Sequence, residues 1–289
     1  MNAITARVQH LGAAGVGGSP AIAPRLERRS AERQLAETPT IVVGSGKGGV
    51  GKSVVSVLIA TALAAQGRCV LLLDGDQNLA NLHVLLGVRP KARMESMLGG
   101  EIDPPELVQS VAPNLWLLAG ESGAESLYAL EAVNRARLQH RLSELYHRFD
   151  VVVVDAGTGI ESVVRVATMR ATSLLLVTAP EPTALTDAYA LMKILHLQVP
   201  DFPIDILVNR CLDAAEGHDA FMKLATACER FLRRDVGYAG ALLEEQSIRL
   251  AVRDPRRLLE TIQSTQAAQT LRTTVLDRLH LPAMARSAE

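Results

Sequence analysis

A glycine-rich segment with two lysines, residues 46–53, carries the strongest chemical signal in the sequence. It reads Gly-Lys-Gly-Gly-Val-Gly-Lys-Ser and matches the pattern G-x-x-x-x-G-K-[ST], whose backbone N–H groups surround phosphates. In that pattern Lys52 contacts the β- and γ-phosphates and the Ser53 hydroxyl ligates Mg²⁺. We therefore predict a site for ATP and Mg²⁺, whose nucleotide-binding residues here are Gly46, Lys47, Gly48, Gly49, Val50, Gly51, Lys52, Ser53 and Val54.

Acidic residues follow two other apolar runs. Asp74-Gly75-Asp76 comes after one run, and Asp155 comes after four consecutive valines. An acid beyond the carboxyl end of a strand can hold Mg²⁺ or position a water molecule. We predict Ser53, Asp76 and Asp155 as the metal ligands, with Asp76 also catalytic and Asp74 ending the strand. The alternative is that both acids of the first pair only end the strand.

The elements that must position these residues alternate along the chain. Short runs rich in Val, Ile and Leu alternate with longer helical patterns, which indicates βαβ units and a buried parallel sheet. The predicted fold is α/β, a three-layer doubly wound domain with a mostly parallel sheet and ligands at the carboxyl ends of its strands. The predicted strands are 40–43, 69–73, 115–118, 151–154, 174–178 and 204–208, and the predicted helices are 53–66, 135–148, 183–197 and 219–234.

Composition excludes several classes of function. Thirty Lys and Arg against 31 Asp and Glu create no global positive field, so we expect no specific nucleic-acid binding. The cysteines Cys69, Cys211 and Cys228 are far apart, which argues against a disulfide framework or a metal site. No apolar run reaches about 18 residues, and the start lacks a secretory h-region. These features predict a cytoplasmic protein.

The glycine-rich segment resembles a known family. Ser45 to Ser53 is similar to the deviant Walker A loop of the MinD/ParA class of P-loop NTPases. The resemblance implies that Lys47 crosses a dimer interface to the partner's nucleotide, so that ATP is sandwiched in a homodimer. It also implies slow ATP hydrolysis in which Lys47, Lys52 and Asp76 are catalytic. An iron–sulfur carrier of the same class would need paired cysteines, which the spacing of Cys211 and Cys228 does not resemble.

A later stretch narrows the resemblance to one subgroup. Residues 177–193, with the sequence Val-Thr-Ala-Pro-Glu-Pro-Thr-Ala-Leu-Thr-Asp-Ala-Tyr-Ala-Leu-Met-Lys, resemble the FlhG/FleN flagellar-number regulators, and residues 207–210 agree. The resemblance implies that Asn209 recognises adenine with Arg210 nearby. It also implies a flagellar GTPase (FlhF), flagellar switch (C-ring) proteins or a flagellar transcription regulator as partners. Within this stretch Thr183 is a predicted helix cap.

The sequence departs from the family pattern at four places. Val54 stands where the class often has a group that bonds the α-phosphate, and Asn78 replaces a usual glycine. Leu243 replaces a proline of the adenine loop, so base contacts are less certain than phosphate contacts. Residues 1–38 lack the D-Q-A-x-x-L-R segment through which many FlhG proteins stimulate FlhF, which argues against that partner.

Three functions remain open at this point. The first is an ATP-dependent dimerising switch that controls flagellar placement or number. The others are a ParA- or MinD-type positioning ATPase for DNA or division machinery, and a nucleotide-binding scaffold with little hydrolysis. We predict a mostly disordered arm (1–38), a P-loop ATPase domain (39–260) and a C-terminal amphipathic helix with a tail (261–289).

The apolar face of that C-terminal helix has two interpretations. Ala267, Leu271, Val275 and Leu279 recur every four residues, with Ala268 and Leu276 alongside. The helix either packs on the domain or makes a weak contact with the inner face of the cell membrane, released on dimerisation.

Overall fold

An eight-stranded sheet forms the centre of the protein. The computed structural model describes residues 38–76, 80–94, 96, 103–120, 132–255, 257–279 and 281–282. Within these ranges the strand order is β3-β4-β2-β5-β1-β6-β7-β8, and only β3 runs antiparallel to its neighbour. The strands are β1 (Thr40–Gly44), β2 (Val70–Gly75), β3 (Gln109–Ala112), β4 (Leu115–Leu118), β5 (Val151–Ala156), β6 (Ser173–Thr178), β7 (Ile204–Cys211) and β8 (Gly237–Leu243).

The predicted α/β fold is confirmed, and all six predicted strands are present. The sequence did not predict the two edge strands. β3 is a short, partly exposed Gln-Ser-Val-Ala segment, and β8 is rich in Gly and Ala, so neither shows the Val- and Ile-rich signal of a central strand. Since both lie at edges of the sheet, they need less apolar cover than the strands between them.

Helices cover both faces of the sheet. Each of the four predicted helices is present within a few residues of its predicted bounds. The helix Ile160–Arg170 was not predicted. The helices of the described residues are α1 (Lys52–Ala65), α2 (Leu82–Leu85), α3 (Ala132–Tyr146), α4 (Ile160–Arg170), α5 (Pro182–Gln198), α6 (Ala214–Leu232), α7 (Gln246–Ala251), α8 (Leu258–Gln263), α9 (Gln266–Thr270) and α10 (Leu276–Arg278), with a π-helical turn (Leu271–Val275) between the last two.

The alternation of side chains along each strand divides the core into two layers. On β1, Val42 packs in the layer formed with α3 to α6, whereas Ile41 and Val43 pack in the layer formed with α1 and the C-terminal helices. This is the expected consequence of the two-residue period of a strand. The site residues therefore follow strands that are held rigidly from both sides.

Residues 266–278 lie inside this second layer. The apolar face identified in the sequence is buried, with Leu271 and Val275 fully so, and it packs in the same cluster as α1 and β8. The structure thus supports the packed interpretation of the two that the sequence left open. No helix among the described residues is long and apolar enough to cross a membrane.

Candidate nucleotide site

The glycine-rich loop connects β1 to α1 at the carboxyl edge of the sheet. Gly51 caps α1 with φ +90°, a left-handed conformation that favours glycine. A Cβ atom at Gly46 would lie 2.3 Å from the backbone oxygen of Asp187 in α5, so only glycine allows this approach. These two positions explain why the loop contains glycine at 46 and 51. The two lysines of the loop have different partners, Thr183 for Lys47 and Asp155 for Lys52.

Lys52 makes a buried ion pair with Asp155. Its Nζ lies 2.7 Å from Asp155 Oδ1, and the two residues are 5% and 1% exposed. The hydroxyl of Ser56 donates to the same carboxylate oxygen at 3.0 Å. Ser56 was not predicted from the sequence, although a residue four positions after Lys52 lies on the same face of the helix.

Three carboxylates gather where β2 and β5 end side by side. Asp74 and Asp155 are register partners in the sheet, and a Cβ atom at Gly157 would lie 3.3 Å from Asp76 Oδ1. Asp74 accepts hydrogen bonds from the backbone N–H groups of Asp76 and Leu82. Burial, with help from the nearby charge of Asp155, raises the pKa of Asp74 to about 7. Asp74, which ends β2, therefore has a pKa near neutrality beside the predicted metal ligands.

A cavity of about 330 Å³ opens beside the loop toward β8. Two of the four departures noted in the sequence, Val54 and Leu243, form part of its apolar lining. Across its mouth Arg210 pairs with Glu244 at 2.9 Å, and this hydrogen bond and the charge of Glu244 raise the pKa of Arg210. The apolar lining residues are Val54, Val55, Leu58, Leu243, Ile248 and Val252.

Asn209 lies against the loop. Its Nδ2 donates to the backbone oxygen of Val50 at 2.8 Å, and a Cβ atom at Gly51 would lie 2.5 Å from that nitrogen. The side chain that was predicted to recognise adenine is therefore hydrogen-bonded to the glycine-rich loop. Ser53, the second residue of α1, is half-buried beside Lys52.

Lys47 points to the first turn of α5. Its Nζ donates to Thr183 Oγ1 at 2.7 Å. The prediction that Thr183 caps this helix is wrong, because Glu181 is the N-cap and Pro182 takes the first helical position, which places Thr183 second. The Thr183 hydroxyl is instead an acceptor for Lys47, a role that the sequence did not indicate.

The site therefore brings together the residues predicted from four separate segments. The loop, Asp76, Asp155 and the Asn209–Arg210 pair all lie at the carboxyl ends of β1, β2, β5 and β7. Asn78 lies outside the described residues.

The comparison with known sequences identifies the family. A family model described as ParA, NUBPL iron-transfer P-loop NTPase, matches residues 37–224. The chain belongs to the ParA/MinD family. As a member of this P-loop family the protein is a nucleotide-binding ATPase.

Individual ParA/MinD relatives agree with this assignment. The chain is 35% identical to antiactivator FleN of Pseudomonas aeruginosa, over 84% of this chain and 88% of that one. It is 30% identical to the flagellum site-determining protein YlxH of Helicobacter pylori, over 78% and 76%. The structure of septum site-determining protein MinD complexed with Mg-ADP, from Pyrococcus horikoshii, superposes with a TM-score of 0.63 at 23% identity, covering 81% and 92%, and shows the same fold.

The iron transfer named in the description of the ParA model finds no support in the cysteines. All three are buried, and burial raises the pKa of Cys211 to about 12 and that of Cys228 to about 11. Their positions in the sequence, 69, 211 and 228, also form no closely spaced pair.

Proposed function

We propose that this protein is an ATP-dependent dimerising switch that controls the placement or number of flagella. The observation that supports this function best is its similarity to FleN and YlxH along most of its length, including the stretch from β6 into α5. Flagellar switch proteins or a flagellar transcription regulator are the partners that fit this role. A location in the cytoplasm is part of the same proposal.

The chemistry of the site suits ATP with Mg²⁺. Ser53, Asp76 and Asp155 offer a hydroxyl and two carboxylates, the hard oxygen donors that Mg²⁺ prefers. The bound ion would neutralise charge on the phosphates. Lys52 exchanges its buried partner Asp155 for the β- and γ-phosphates when the nucleotide binds, which leaves Asp155 available to the metal.

Hydrolysis in this proposal depends on placement of water by Asp76. Asp76 is 6% exposed, and a Cβ atom at Gly157 would lie 3.3 Å from its Oδ1, so its side chain lies beside the segment that follows β5. Positioning and charge stabilisation without a strong base give slow turnover. Loss of turnover in Asp76→Ala separates this ATPase from a scaffold with little hydrolysis, whose weak activity the substitution would leave unchanged.

The dimer in this proposal is built around Lys47. Lys47 follows the first glycine of the loop and its ammonium lies outside the Lys52–Asp155 pair, on the α5 side. Lys52 already supplies a positive charge to the nucleotide of its own protomer. A second lysine in the same loop stabilises binding where another anion approaches, and the nucleotide of a second copy is such an anion. ATP would then join two protomers, and hydrolysis would release them.

A membrane contact is not part of the proposal. The face that would lie on a membrane fills the second core layer, so binding would require residues 266–278 to leave the fold. Co-sedimentation with anionic liposomes tests this point, and equal, negligible binding with ATP and with ADP is expected.

The flagellar role is tested in the organism that carries the gene. The chromosomal copy is replaced by Lys52→Ala, with Lys223→Ala as a matched control because Lys223 is exposed on α6, far along the chain from the loop. The number and position of flagella, counted by electron microscopy, should change in the first strain only. Unchanged flagella together with misplaced septa or lost plasmids would favour the MinD- or ParA-type positioning function instead.

A further inference from the structure

Lys47 is held by its own protomer at two points. The hydroxyl of Ser45 donates to the backbone oxygen of Lys47 at 3.0 Å, and the Lys47 ammonium donates to Thr183 Oγ1 at 2.7 Å. The loop also rests directly on the backbone of α5 at Gly46. The side chain of Lys47 is therefore restrained in the single protomer, in an orientation toward α5.

The acceptor that binds the Lys47 ammonium is a neutral hydroxyl at a place where an anion would be a stronger acceptor. Thr183 is the second residue of the 17-residue helix α5, so the Lys47 ammonium lies at the end of the helix that carries partial positive charge. A cation is disfavoured there, and the neutral hydroxyl supplies the compensating hydrogen bond. A phosphate would be a stronger acceptor, because charge-assisted hydrogen bonds are roughly twice as strong as neutral ones.

We propose that Thr183 is a positioning residue that retains Lys47 on its own protomer until the nucleotide of a second copy competes for it. This inference rests on the proposed function, in which Lys47 crosses to the partner. Dimerisation then breaks the Lys47–Thr183 bond once in each protomer. The bond raises the ATP concentration at which dimers form and so keeps the switch off at low nucleotide.

Thr183→Val tests the inference because it keeps the branched shape of the side chain and removes the acceptor. One exposed hydrogen bond should oppose dimerisation by a factor of about three in each protomer. Because both protomers lose the bond in this variant, the dissociation constant of the ATP-dependent dimer should fall about tenfold. Thr183→Ser should behave as wild type. The matched control is Thr186→Val, since the Thr186 hydroxyl lies one turn later and donates to the backbone oxygen of Pro182.

The measurement is the dimer dissociation constant by analytical ultracentrifugation with a non-hydrolysable ATP analogue, with nucleotide affinity and thermal midpoint measured alongside. Nucleotide affinity of the single protomer should stay unchanged in the Thr183 and Thr186 variants. In a Lys47→Ala background, Thr183→Val should have no effect, because the bond is already absent.

The outcomes separate the two proposals. Dimerisation of Lys47→Ala like that of wild type would overturn the cross-dimer role of Lys47, and with it this inference. Impaired dimerisation of Lys47→Ala, together with unchanged or weaker dimerisation of Thr183→Val, would overturn the retaining role of Thr183 alone. Equal effects of Thr183→Val and Thr186→Val would assign the change to helix stability and also overturn it.

Discussion

The pair Lys52–Asp155 shows how single residues prepare the site before nucleotide binds. Both charges are withdrawn from water, which is costly unless each has a partner, and here each is the other's partner with Ser56 as a further donor. The pair keeps the Lys52 ammonium at the carboxyl edge of the sheet. A nucleotide therefore meets a positioned cation rather than a flexible side chain.

Asp155→Asn should destabilise the nucleotide-free protein, because it leaves the buried Lys52 without a counter-charge. The expected loss is about 3 kcal/mol in the free energy of unfolding, measured by urea denaturation. Glu161→Gln is the control, since its exposed pair with Arg165 should contribute less than about 1 kcal/mol. Equal losses in the two variants would contradict this account of the pair.

Asp74 should make stability depend on pH. Its pKa is raised by burial from 3.8 to about 7, so the folded state binds the proton more tightly than the unfolded state. The resulting stabilisation is fully present below about pH 4 and is lost as pH rises through about 7.

The variant Asp74→Asn removes this dependence. Without nucleotide or Mg²⁺, it should be more stable than wild type by roughly 2–4 kcal/mol at pH 8, and the difference should vanish near pH 4. The exposed Asp219→Asn should show no such trend. A constant difference between pH 4 and 8 would show that Asp74 is ionised in the fold.

Sequence indicated most residues of the site but not their local partners. The positions of Lys52, Asp76 and Asp155 follow from a motif and from strand ends, because the chemistry needs those types there. Thr183 was assigned as a cap because its type suits one, but Pro182 occupies the first helical position and changes the register. Such one-residue shifts depend on backbone angles that composition does not determine.

At the scale of elements, the C-terminal residues complete the second layer of the core. The π-helical turn joins α9 to α10, and Glu245 accepts hydrogen bonds from the backbone N–H groups of Gln266 and Ala267 at the start of α9. Glu245 also lines the cavity beside the phosphate loop. The last helices are thereby connected to the lining of this cavity.

Leu271→Ala should cost about 2–5 kcal/mol of stability, because the side chain is fully buried between α1 and the sheet. Gln269→Ala, exposed in the same helical segment, is the matched control and should change stability by less than about 0.5 kcal/mol. Urea denaturation of both variants measures the difference. A cost below 1 kcal/mol for Leu271→Ala would mean that this segment does not pack in solution as it does in the structure.

The elements could be predicted where burial leaves a strong pattern. The central strands are Val-, Ile- and Leu-rich because helices cover them on both sides, so all six were found. β3 and β8 lie at the edges and lack this pattern. The C-terminal face could not be assigned from sequence, since a helix that packs on a core and one that lies on a membrane have the same apolar period.

At the scale of the whole molecule, the account requires two copies. The Lys52 ammonium is paired with a buried carboxylate, whereas the Lys47 ammonium donates to an exposed hydroxyl. This asymmetry supports different roles for the two lysines, with Lys52 serving the nucleotide of its own protomer and Lys47 that of the second copy. Loss of Lys52 should therefore abolish nucleotide binding, whereas loss of Lys47 should spare it.

The most direct test of the dimer is the molar mass of Lys47→Ala, measured by light scattering with a saturating non-hydrolysable ATP analogue. Calorimetry confirms that the variant still binds the analogue. Wild type and the exposed-lysine control Lys223→Ala should double in mass with the analogue. The account predicts that Lys47→Ala binds the analogue and keeps the mass of one protomer. A doubled mass for Lys47→Ala, reached at the same protein concentration as for wild type, would contradict it.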